Sequence, residues 1–567
     1  MAHAEQNVTG LTQAPPVRPQ GDTGALRTSY VIGVDVGTQS TKAVLVRADG
    51  RIVATHSQGY QVETPAPLWA QQWPSVWMDA VVLCIKGVLA QVEPAQTAIK
   101  SICISSLYGG SGIPVDADGK ALYPCLIWMD RRAQTQVDWV HSTVDTERLL
   151  DITGNGVDSY YGYTKMLWLR DVEPAVWAQT AQFLPPNSFI NAALTGQVAV
   201  DHSSAGNIGG VYDLANRCWS DEALAMLGIP RRMMPDRLVA SSEVVGPLLP
   251  HWAEELGLPV GLPVVAGGVD AAVATLAAGA TQTGNHVGMI GTSMAWGTIR
   301  QQVDARHGLI SMPHVFNGME DLYVFGGAIT AGASVSWFRE NFCQAEIAAG
   351  RAQGIDPHVL LEAAASGLPS GSDALLFLPY LMGERSPLWD AKASGAFIGL
   401  GLHHGRAHLY RAVLEGIAYA LHHNIETGTL DGHPLDQAIT IVGGASQSDL
   451  WMQIIADVTG RPVFTIAEEV EASLGAAQLA AYGVGLIDAA TVRKGWVQLT
   501  PRAQPQEPAR STYAALFKLY VALYPTLKPV MHQLRQISVD TAAKPFLPNG
   551  AIDGAPPNLS KEMPALQ

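Results

Sequence analysis

The alternation of apolar and polar positions predicts that the folded part of the chain opens with β-structure. Three β-rich runs follow one another at 31–36, 42–47 and 51–57. Asp49-Gly50 joins the last two runs, and this dipeptide is typical of a tight hairpin. The runs therefore predict an antiparallel meander and not a βαβ unit. A helical pattern begins at Pro74, and a further strand is predicted in "AIKSICISSL".

A second copy of this opening follows in the middle of the chain. "HVGMIGTSMAWGTIR" repeats the order of strand, turn and strand, so that Gly37-Thr38 corresponds to Gly291-Thr292. Two similar halves would each bring a tight, hydroxyl-bearing turn to one cleft. The boundary between them is predicted within 272–285.

The second half has the pattern of an α/β domain. A helix is predicted to start in "AGASVSWFREN" (331–341), and apolar positions at helical spacing predict a long helix over 406–426. Residues 438–460 have the pattern of a strand, a glycine-rich turn and a helix. The start of that helix could face an anion or a nucleotide, because the first N–H groups of a helix have no partner within it.

Composition narrows the fold class and the kind of ligand. The chain has 567 residues, of which 48% are hydrophobic and 15% are charged, and this favours large α/β domains with buried sheets. The formal net charge of −15 argues against nucleic acid as a partner, because phosphate backbones bind to concentrated basic faces. An anionic ligand such as ATP would have to be held locally, by N–H groups, a few cations and a metal ion.

The chain ends and the cysteines predict a cytoplasmic protein without a membrane segment. Residues 1–29 lack the apolar core of a signal peptide and are predicted to be a disordered leader, while 537–567 are predicted to be an extended tail. The apolar stretch 264–280 contains Asp270, which argues against a membrane span. The five cysteines are far apart and lack a CxxC pair, so buried reduced thiols are expected.

Two common nucleotide-binding motifs are missing from the sequence. No GxxxxGK[ST] occurs and no GxGxxG follows a strand, so neither a P-loop nor a dinucleotide fold is predicted. Three other glycine turns remain, at Gly37-Thr38, Gly291-Thr292 and Gly443-Gly444. Glycine lets the backbone approach phosphate closely, while N–H groups and hydroxyls donate to its oxygens. Asp35 lies in an otherwise apolar strand, where a buried carboxylate needs a cation or hydrogen-bond donors.

Six stretches of the chain resemble the FGGY family of carbohydrate kinases, within the superfamily of sugar kinases, actin and Hsp70. They are "IGVDVGTQSTKAVLV", "PVVAGGVDAA", "MIGTSMAWG", "FLPYLMGERSPLWD", "GAFIGLGLHHGRAHLYRAVLEGIAYAL" and "VGGASQSDLWMQIIADVTGRPV". The segment from Gly395 to Glu415 matches the family's long C-terminal signature at matching spacing. The resemblance covers residues 30–535, nearly all of the predicted folded chain.

The resemblance implies an α/β fold of two ribonuclease-H-like domains, as in actin-like ATPases, flanking a catalytic cleft. The N-terminal domain, 30–275, would bind the sugar, and the C-terminal domain, 276–536, would bind ATP with Mg²⁺. Asp270 occupies the position of the catalytic base, and its glycine and alanine neighbours favour a raised pKa. An aspartate that caps the following helix is the alternative, and the two roles are compatible. Asp35 would hold Mg²⁺ directly or through water.

The resemblance also assigns the nucleotide site. Thr38 and Lys42 would face the β- and γ-phosphates, with a strand-edge charge that reaches solvent as the alternative for Lys42. Gly291 and Thr292 resemble a second phosphate turn. The wall around phosphate, ribose and adenine would consist of Gly332, Gly444, Ala445 and Ser448. Ordinary glycine joints between strand and helix are the alternative for this wall.

The acceptor site departs from the xylulokinase pattern. "GGVDAA" stands where xylulokinases typically have "GGDNAA", so Ala271 replaces a polar sugar contact. The candidate sugar contacts are Gln72, Tyr108, Asp130, Tyr160 and Asp270. Apart from Asp270, a structural role stays open for each. The expected partner is a small sugar or polyol, with a pentulose such as xylulose preferred and ribulose, ribitol, erythritol or glycerol as alternatives. The oligomeric state is left open, with a homodimer as one option.

Two other classes of protein stay as alternatives. A non-catalytic ATP-binding clamp of the actin or Hsp70 type would share both phosphate turns but would not need Asp270. A metal hydrolase would use the i, i+4 pair His404 and His408, with His403 nearby, and no HExxH accompanies that pair.

Overall fold

The structure is a computed structural model that describes residues 28–92, 98–107, 110–302, 308–429, 432–466 and 472–542. Tyr108, almost all of the predicted leader and most of the predicted tail lie outside these ranges. The described chain is built around two central β-sheets, one in each half.

The first sheet has six strands and contains the predicted meander. The strands are β1 Tyr30–Val36, β2 Ser40–Arg47, β3 Ile52–Gly59, β4 Ile99–Ser106, β5 Val244–Pro247 and β6 Pro263–Val269. Their order is β5-β6-β4-β1-β2-β3. β1 and β2, and β2 and β3, pair antiparallel, whereas β4 runs parallel to β1 and β6 runs parallel to β4. The β2–β3 turn contains Gly50, whose φ of +91° is a left-handed conformation that glycine adopts without strain.

The second sheet repeats this plan with one additional edge strand. Its strands are β7 His286–Ile290, β8 Met294–Arg300, β9 Ile310–Pro313, β10 Leu322–Gly326, β11 Ile439–Val442, β12 Val463–Ile466 and β13 Leu499–Ala503. The order is β9-β10-β8-β7-β11-β12-β13. β7, β8 and β10 form an antiparallel meander, and β11 and β12 continue the sheet in parallel with β7. The prediction of two similar α/β halves is therefore confirmed.

Helices and short ribbons complete the two halves. The helices are α1 Pro74–Leu89, α2 Gln134–Thr143, α3 Thr146–Thr153, α4 Gly162–Val172, α5 Pro174–Gln179, α6 Pro186–Thr195, α7 His202–Asn207, α8 Asp221–Leu227, α9 Pro250–Leu256, α10 Asp270–Ala277, α11 Gly332–Phe342, α12 Gln344–Gln353, α13 Pro357–Ser366, α14 Arg406–Thr427, α15 Asp449–Thr459, α16 Ala472–Gly483, α17 Ala489–Lys494 and α18 Glu507–Ala542. Two-stranded ribbons pair Gln71–Gln72 with Cys125–Leu126, Ile113–Val115 with Gln182–Leu184, Val200–Asp201 with Leu238–Val239, Tyr212–Asp213 with Cys218–Trp219 and Leu376–Leu378 with Ala396–Ile398.

The side chains of β1 alternate between two hydrophobic cores. Ile32 and Val34 are fully buried in one cluster, whereas Val31 is fully buried in the other. Successive side chains of a strand point to opposite faces, so Gly33 and Asp35 share the face of Val31. The polar residue of β1 is thus directed to one defined side of the sheet.

Two helices, α10 and α16, connect the halves. α10 follows β6 of the first sheet and leads to β7 of the second. α16 comes from the second half of the chain but packs on the first sheet, where a Cβ on Gly33 would lie 2.0 Å from the carbonyl oxygen of Ser473. The two helices also touch each other, since a Cβ on Gly475 would lie 2.1 Å from the carbonyl oxygen of Val273. A single boundary in the sequence would therefore assign α16 to the second half, although this helix packs on the sheet of the first half.

Two details of the sequence-based expectations were wrong. α18 continues through Ala542, so residues 537–542, predicted to be extended, are helical. Cys218 is exposed, although buried thiols were expected throughout. The buried free cysteines are Cys84, Cys103, Cys125 and Cys343. Within the described ranges, no helix is both long and apolar enough to cross a membrane.

A buried polar network around Glu415 connects α14 to α18. Glu415 is 1% exposed and accepts hydrogen bonds from the backbone N of Gly371, from Ser372 Oγ and from Tyr513 OH. Arg411 Nε donates to the same carboxylate at 2.8 Å. The charge of the guanidinium thus offsets that of a carboxylate that water does not reach.

Replacing Arg411 by Met should destabilise the C-terminal half by about 3–5 kcal/mol, because Glu415 would stay buried without its countercharge. The midpoint of chemical denaturation measures this loss. Arg148→Met is the control, since its ion pair with Glu222 joins side chains that are 50% and 51% exposed and should contribute little. Equal shifts for the two variants would show that the buried pair is not stabilising.

Candidate functional site

Three side chains fix the first glycine turn, which connects β1 and β2. Tyr60 OH donates to the carbonyl oxygen of Gly37 at 2.7 Å, and Gln72 Nε2 donates to that of Thr38 at 3.0 Å. Trp128 Nε1 donates to Thr38 Oγ1 at 3.0 Å. Within the turn, the Gly37 N–H donates to the carbonyl oxygen of Ser40 at 2.9 Å. The turn is therefore held in one conformation by the surrounding first half.

Asp35 lies beside this turn, near the end of β1. Ser105 Oγ of the neighbouring β4 donates to Asp35 Oδ1 at 2.8 Å. Lys42 lies directly opposite Asp35 in the antiparallel pair of β1 and β2. Because β2 is an inner strand, between β1 and β3, the strand-edge alternative does not describe Lys42.

The second turn, between β7 and β8, is docked on the start of α11. The backbone N of Gly332 donates to the carbonyl oxygen of Gly291, and that of Ala331 to the carbonyl oxygen of Thr292, both at 2.9 Å. A Cβ on Gly332 would lie 2.5 Å from the carbonyl oxygen of Gly291, so glycine is needed there for this close approach. The structure thus brings Gly291, Thr292 and Gly332 together.

The third turn, between β11 and α15, lies against the end of β7. Gly443 has a φ of +92°, and a Cβ there would lie 2.7 Å from the carbonyl oxygen of Ile290. Ala445 is buried, and Ser448 caps α15, since its Oγ accepts from the backbone N of Trp451 at 3.0 Å. The hydroxyl of Ser448 therefore has a structural role in addition to any contact with a ligand.

The second and third turns leave room for a ligand beside their backbones. A Cβ on Gly291 or on Gly444 would meet no heavy atom of the described residues within 4 Å. Packing therefore does not explain glycine at these two positions, unlike at Gly332 and Gly443. Open backbone beside a glycine suits phosphate oxygens, which accept hydrogen bonds from N–H groups at close range.

Asp270 is the first residue of α10, directly after β6. Its Oδ1 accepts from the backbone N of Ala271 at 2.7 Å, and Val269 occupies the N-cap position. Burial raises the pKa of Asp270 to about 6, although the hydrogen bond from Ala271 acts in the opposite direction. A carboxyl group with this pKa is mostly ionised at pH 7 and still a useful proton acceptor.

Two tyrosines interact electrostatically with both Asp270 and Arg385. Burial raises the pKa of Tyr160 to about 12, the charge of Arg385 lowers it and that of Asp270 raises it. Burial also raises the pKa of Tyr323, on which the charges of Asp270 and Arg385 act as well. The ring of Tyr160 packs edge-on against Trp389, with ring centroids 6.0 Å apart. The structure therefore places Tyr160 close to the predicted base.

Gln72 and Asp130 use their polar atoms inside the first half. Gln72 is 1% exposed, and besides its bond to Thr38 it accepts from Trp77 Nε1 at 3.2 Å. Asp130 is fully buried, where it accepts from the backbone N of Ala70 at 2.7 Å and pairs with Arg132 at 2.8 Å. These contacts match the structural alternative that the sequence left open for both residues.

Two residues near Asp270 were not assigned a role from the sequence. Arg385 and Trp389 belong to "GERSPLWD", part of a stretch that resembles the family. The signal was a Glu-Arg pair followed by a tryptophan in an apolar stretch, and nothing local indicated where these side chains would point.

The histidines proposed for a metal hydrolase have other contacts. His404 Nδ1 accepts from the backbone N of Gly401 at 2.8 Å, and His408 Nδ1 accepts from that of Gly405 at 3.1 Å. His408 Nε2 also lies 3.1 Å from Asp373 Oδ2. Among the described residues, no group of His, Cys, Asp or Glu side chains is arranged to hold a metal ion. These histidines stabilise the start of α14.

The arrangement fits phosphoryl transfer to an alcohol. The open turns of the second half suit phosphate groups, and Asp270 can take the proton of a hydroxyl. Asp35, with one oxygen bonded to Ser105, has the hard oxygen ligand that Mg²⁺ prefers. When bound, the ion would neutralise part of the charge of the phosphates.

Comparison with known proteins gives the same result. Residues 30–277 match the N-terminal domain, and residues 287–484 the C-terminal domain, of the FGGY family of carbohydrate kinases. The chain is 30% identical to a xylulose kinase of Lactococcus lactis over 515 residues, which are 89% of this chain and 98% of that protein. It is 31% identical to a gluconokinase of Bacillus licheniformis over 526 residues, 91% of this chain and 100% of that protein.

Among solved structures, the ligand-bound xylulose kinase of Lactobacillus acidophilus superposes with a TM-score of 0.82 at 26% identity. The match covers 89% of this chain and 100% of that one. The two-domain α/β fold, the glycine turns and the carboxylate at the start of α10 thus occur in a chain that matches the family over most of its length. The chain belongs to the FGGY family of carbohydrate kinases, phosphotransferases that act on a sugar hydroxyl.

Proposed function

We propose that the chain transfers the γ-phosphoryl group of ATP to a hydroxyl of a pentulose, with xylulose as the first choice. The observation that carries the proposal is Asp270, a carboxylate at the start of α10 whose pKa is raised to about 6 by burial. It lies beside Tyr160, in the half that the family uses for the sugar. In this role Asp270 takes the hydroxyl proton as the oxygen attacks phosphorus.

The nucleotide is proposed to lie along the second half. Gly291, Thr292 and Gly444 would line the phosphates, whose oxygens can approach the open space beside the two glycines, while the Gly291 N–H itself donates to the carbonyl oxygen of Ser293 at 3.0 Å. Gly332, Ala445 and Ser448 would form the wall beside them. Thr38, Lys42 and Asp35 would approach the same phosphates from the first half, with Mg²⁺ at Asp35. Phosphoryl transfer needs this kind of positioning and charge neutralisation more than covalent help from the protein.

A six-carbon sugar acid is the second candidate acceptor. The gluconokinase of Bacillus licheniformis is as similar to this chain as the xylulose kinase of Lactococcus lactis, at 31% and 30% identity. Identity therefore does not choose between the two acceptors. The spacing of the motifs is the reason to put the pentulose first. Cytoplasmic placement and a homodimer stay predictions.

An acceptor panel tests the proposal. ADP release is followed in a coupled assay with xylulose, ribulose, gluconate, ribitol, erythritol and glycerol, each with ATP and Mg²⁺. We expect the highest kcat/KM for xylulose, and acceptor-dependent ADP release from Asp270→Asn that is lower by orders of magnitude than that of the wild type. The highest value for gluconate would replace the pentulose by the sugar acid. ADP release that no acceptor increases would contradict the proposal and favour a non-catalytic ATP-binding clamp.

A further inference from the structure

Residues 384–390 form a segment that is fixed at both ends. The backbones of Glu384 and Asp390 exchange two hydrogen bonds, at 2.9 and 3.0 Å. Trp389 Nε1 donates to the carbonyl oxygen of Gly308 at 2.6 Å, and Trp389 has a φ of +49°, which is uncommon for a residue with a side chain. The segment therefore holds Arg385, between its ends, in a defined place.

The guanidinium of Arg385 is buried with few acceptors around it. Arg385 is 8% exposed, and its Nε and Nη2 donate to the carbonyl oxygens of Gly327 and Met294 at 3.4 and 3.5 Å. Both distances are at the long end for hydrogen bonds, and a guanidinium carries five N–H donors. Among the described residues, no carboxylate forms an ion pair with it. By contrast, the buried Arg411 is paired with Glu415.

Its sequence neighbour Glu384 supplies little countercharge. The Glu384 carboxylate accepts from the backbone N of Ile329 at 3.0 Å and from that of Arg385 at 2.7 Å. Burial raises the pKa of Glu384 to about 7, so the group is partly protonated at neutral pH. A buried cation costs free energy unless an anion meets it. The charge of Glu384 acts on Arg385 but offsets it only in part, and among the described residues no carboxylate forms an ion pair with the guanidinium.

The position of Arg385 indicates which anion is expected. Met294, which accepts from Nη2, directly follows the Gly291–Ser293 turn that suits phosphate. Arg385 also shares Tyr160 and Tyr323 with Asp270, since the charges of both residues act on both phenols. The guanidinium thus lies beside the second phosphate turn and has two phenolic neighbours in common with the base. In a kinase, the anion that passes from such a turn to the acceptor is the phosphoryl group in transit.

We propose that Arg385 is a catalytic residue that binds the non-bridging oxygens of the phosphoryl group during its transfer. The inference rests on the proposed function. The acceptor oxygen forms a bond to the γ-phosphorus, the bond from that phosphorus to the β–γ bridging oxygen breaks, and the electron pair stays on ADP. Asp270 receives the hydroxyl proton. The charge spread over the three equatorial oxygens is largest in the transition state, so Arg385 should stabilise this state more than bound ATP.

The test compares Arg385→Ala and Arg385→Lys with the wild type and with Arg217→Ala. Arg217 is the matched control because it is 9% exposed and its Nε donates to a carbonyl oxygen, that of Gly318 at 2.6 Å. We expect Arg385→Ala to lower kcat about 10²–10³-fold, the range for losing one group that stabilises developing charge, with KM for ATP changed only a few-fold. Arg385→Lys should recover part of kcat, and Arg217→Ala should keep wild-type kcat.

Ligand-induced thermal stabilisation gives a readout that does not depend on turnover. A mixture of ADP, Mg²⁺, aluminium fluoride and acceptor imitates the phosphoryl group during transfer. It should raise the midpoint of thermal unfolding of the wild type above the midpoint measured with a non-hydrolysable ATP analogue. Arg385→Ala should lose this additional shift and keep the shift caused by the analogue. The inference is overturned if the additional shift persists, or if Arg217→Ala lowers kcat equally. The inference is also overturned if the only effect of Arg385→Ala is a higher KM for an acidic acceptor. The anion that Arg385 binds would then be the carboxylate of the acceptor.

Failure of the proposed function has a different signature. A wild type that releases no ADP with any acceptor, and gains no stability from aluminium fluoride, contradicts the kinase proposal before any variant is measured. An active wild type with an unaffected Arg385→Ala contradicts only the role of Arg385.

Discussion

Replacing Asp270 by Asn should lower kcat about 10²–10⁴-fold, which is the usual contribution of a positioned general base. The amide has nearly the same shape as the carboxyl group, so helix α10 and the backbone bond from Ala271 should persist. The acceptor hydroxyl would lose the group that takes its proton, whereas ATP would lose no contact. Steady-state kinetics measures kcat, and calorimetric titration with a non-hydrolysable ATP analogue measures nucleotide affinity.

Asp457→Asn is the matched control for this experiment. Asp457 is 5% exposed and burial raises its pKa, but it accepts from the backbone N of Gln506 in the second half and has no proposed part in the reaction. Its amide variant should keep wild-type kcat. Near wild-type transfer by Asp270→Asn would remove Asp270 from the role of base.

The raised pKa of Asp270 also gives the reaction a pH dependence. The base must be ionised, so kcat/KM should be constant above pH 7 and should fall about tenfold per pH unit below the pKa of about 6. The contribution of Asp270 to folding stability changes with pH in the opposite direction to kcat/KM. A carboxyl group whose pKa is higher in the folded chain contributes stability below its unfolded pKa, and this contribution is lost as the pH rises through 6. Asp270→Asn should therefore have a higher thermal midpoint than the wild type at pH 8, with a smaller difference at pH 4.

Replacing Asp35 by Asn should lower kcat about 10²–10³-fold and raise the Mg²⁺ concentration needed for half-maximal rate. The amide oxygen can still accept from Ser105 Oγ, so the fold around β1 should stay intact. The variant loses the negative charge that would attract Mg²⁺. With less Mg²⁺ bound, the charge of the phosphates would be neutralised less completely. Rates measured across a Mg²⁺ titration separate the loss of ion affinity from a loss of kcat at saturation.

Ser105→Ala is the control for Asp35. It removes the hydrogen bond to the carboxylate and keeps the charge, so it should change the Mg²⁺ dependence much less than Asp35→Asn. An unchanged Mg²⁺ dependence in Asp35→Asn, or full activity in the presence of a chelator, would contradict a metal site at this residue.

Local sequence patterns were sufficient to predict the strands and turns and to predict which face of a strand a side chain occupies. The period of two in β1 places Asp35 on the face of Gly33, and Asp49-Gly50 predicts the hairpin of β2 and β3. The repeat of strand, turn and strand at Gly291 predicts the second half. These conclusions depend on a few neighbouring residues, since backbone geometry and burial of alternate side chains act within one element.

The roles of single polar residues could not be predicted in the same way. The sequence left both a sugar contact and a structural role open for Gln72 and Asp130, and their side chains are bonded to Thr38 and to Arg132 inside the first half. Arg385 looked like part of a family motif, but it lies beside a tyrosine more than two hundred positions earlier in the chain. A polar side chain takes its role from the donors, acceptors and charges that surround it after folding, and these come from distant elements.

By itself, the sequence of this protein determined the two α/β halves, their glycine turns and the carboxylate that begins α10. Only the tertiary structure decided that α16 covers the first sheet, that Gly291 and Gly444 have open space beside them, and that the buried guanidinium of Arg385 donates to the carbonyl oxygen of Met294 beside the second turn. The physical reason is that strands and helices form through contacts between residues that are near in the sequence. A site is assembled by packing between segments that are far apart in the sequence, and no regular pattern in the sequence indicates which segments will meet.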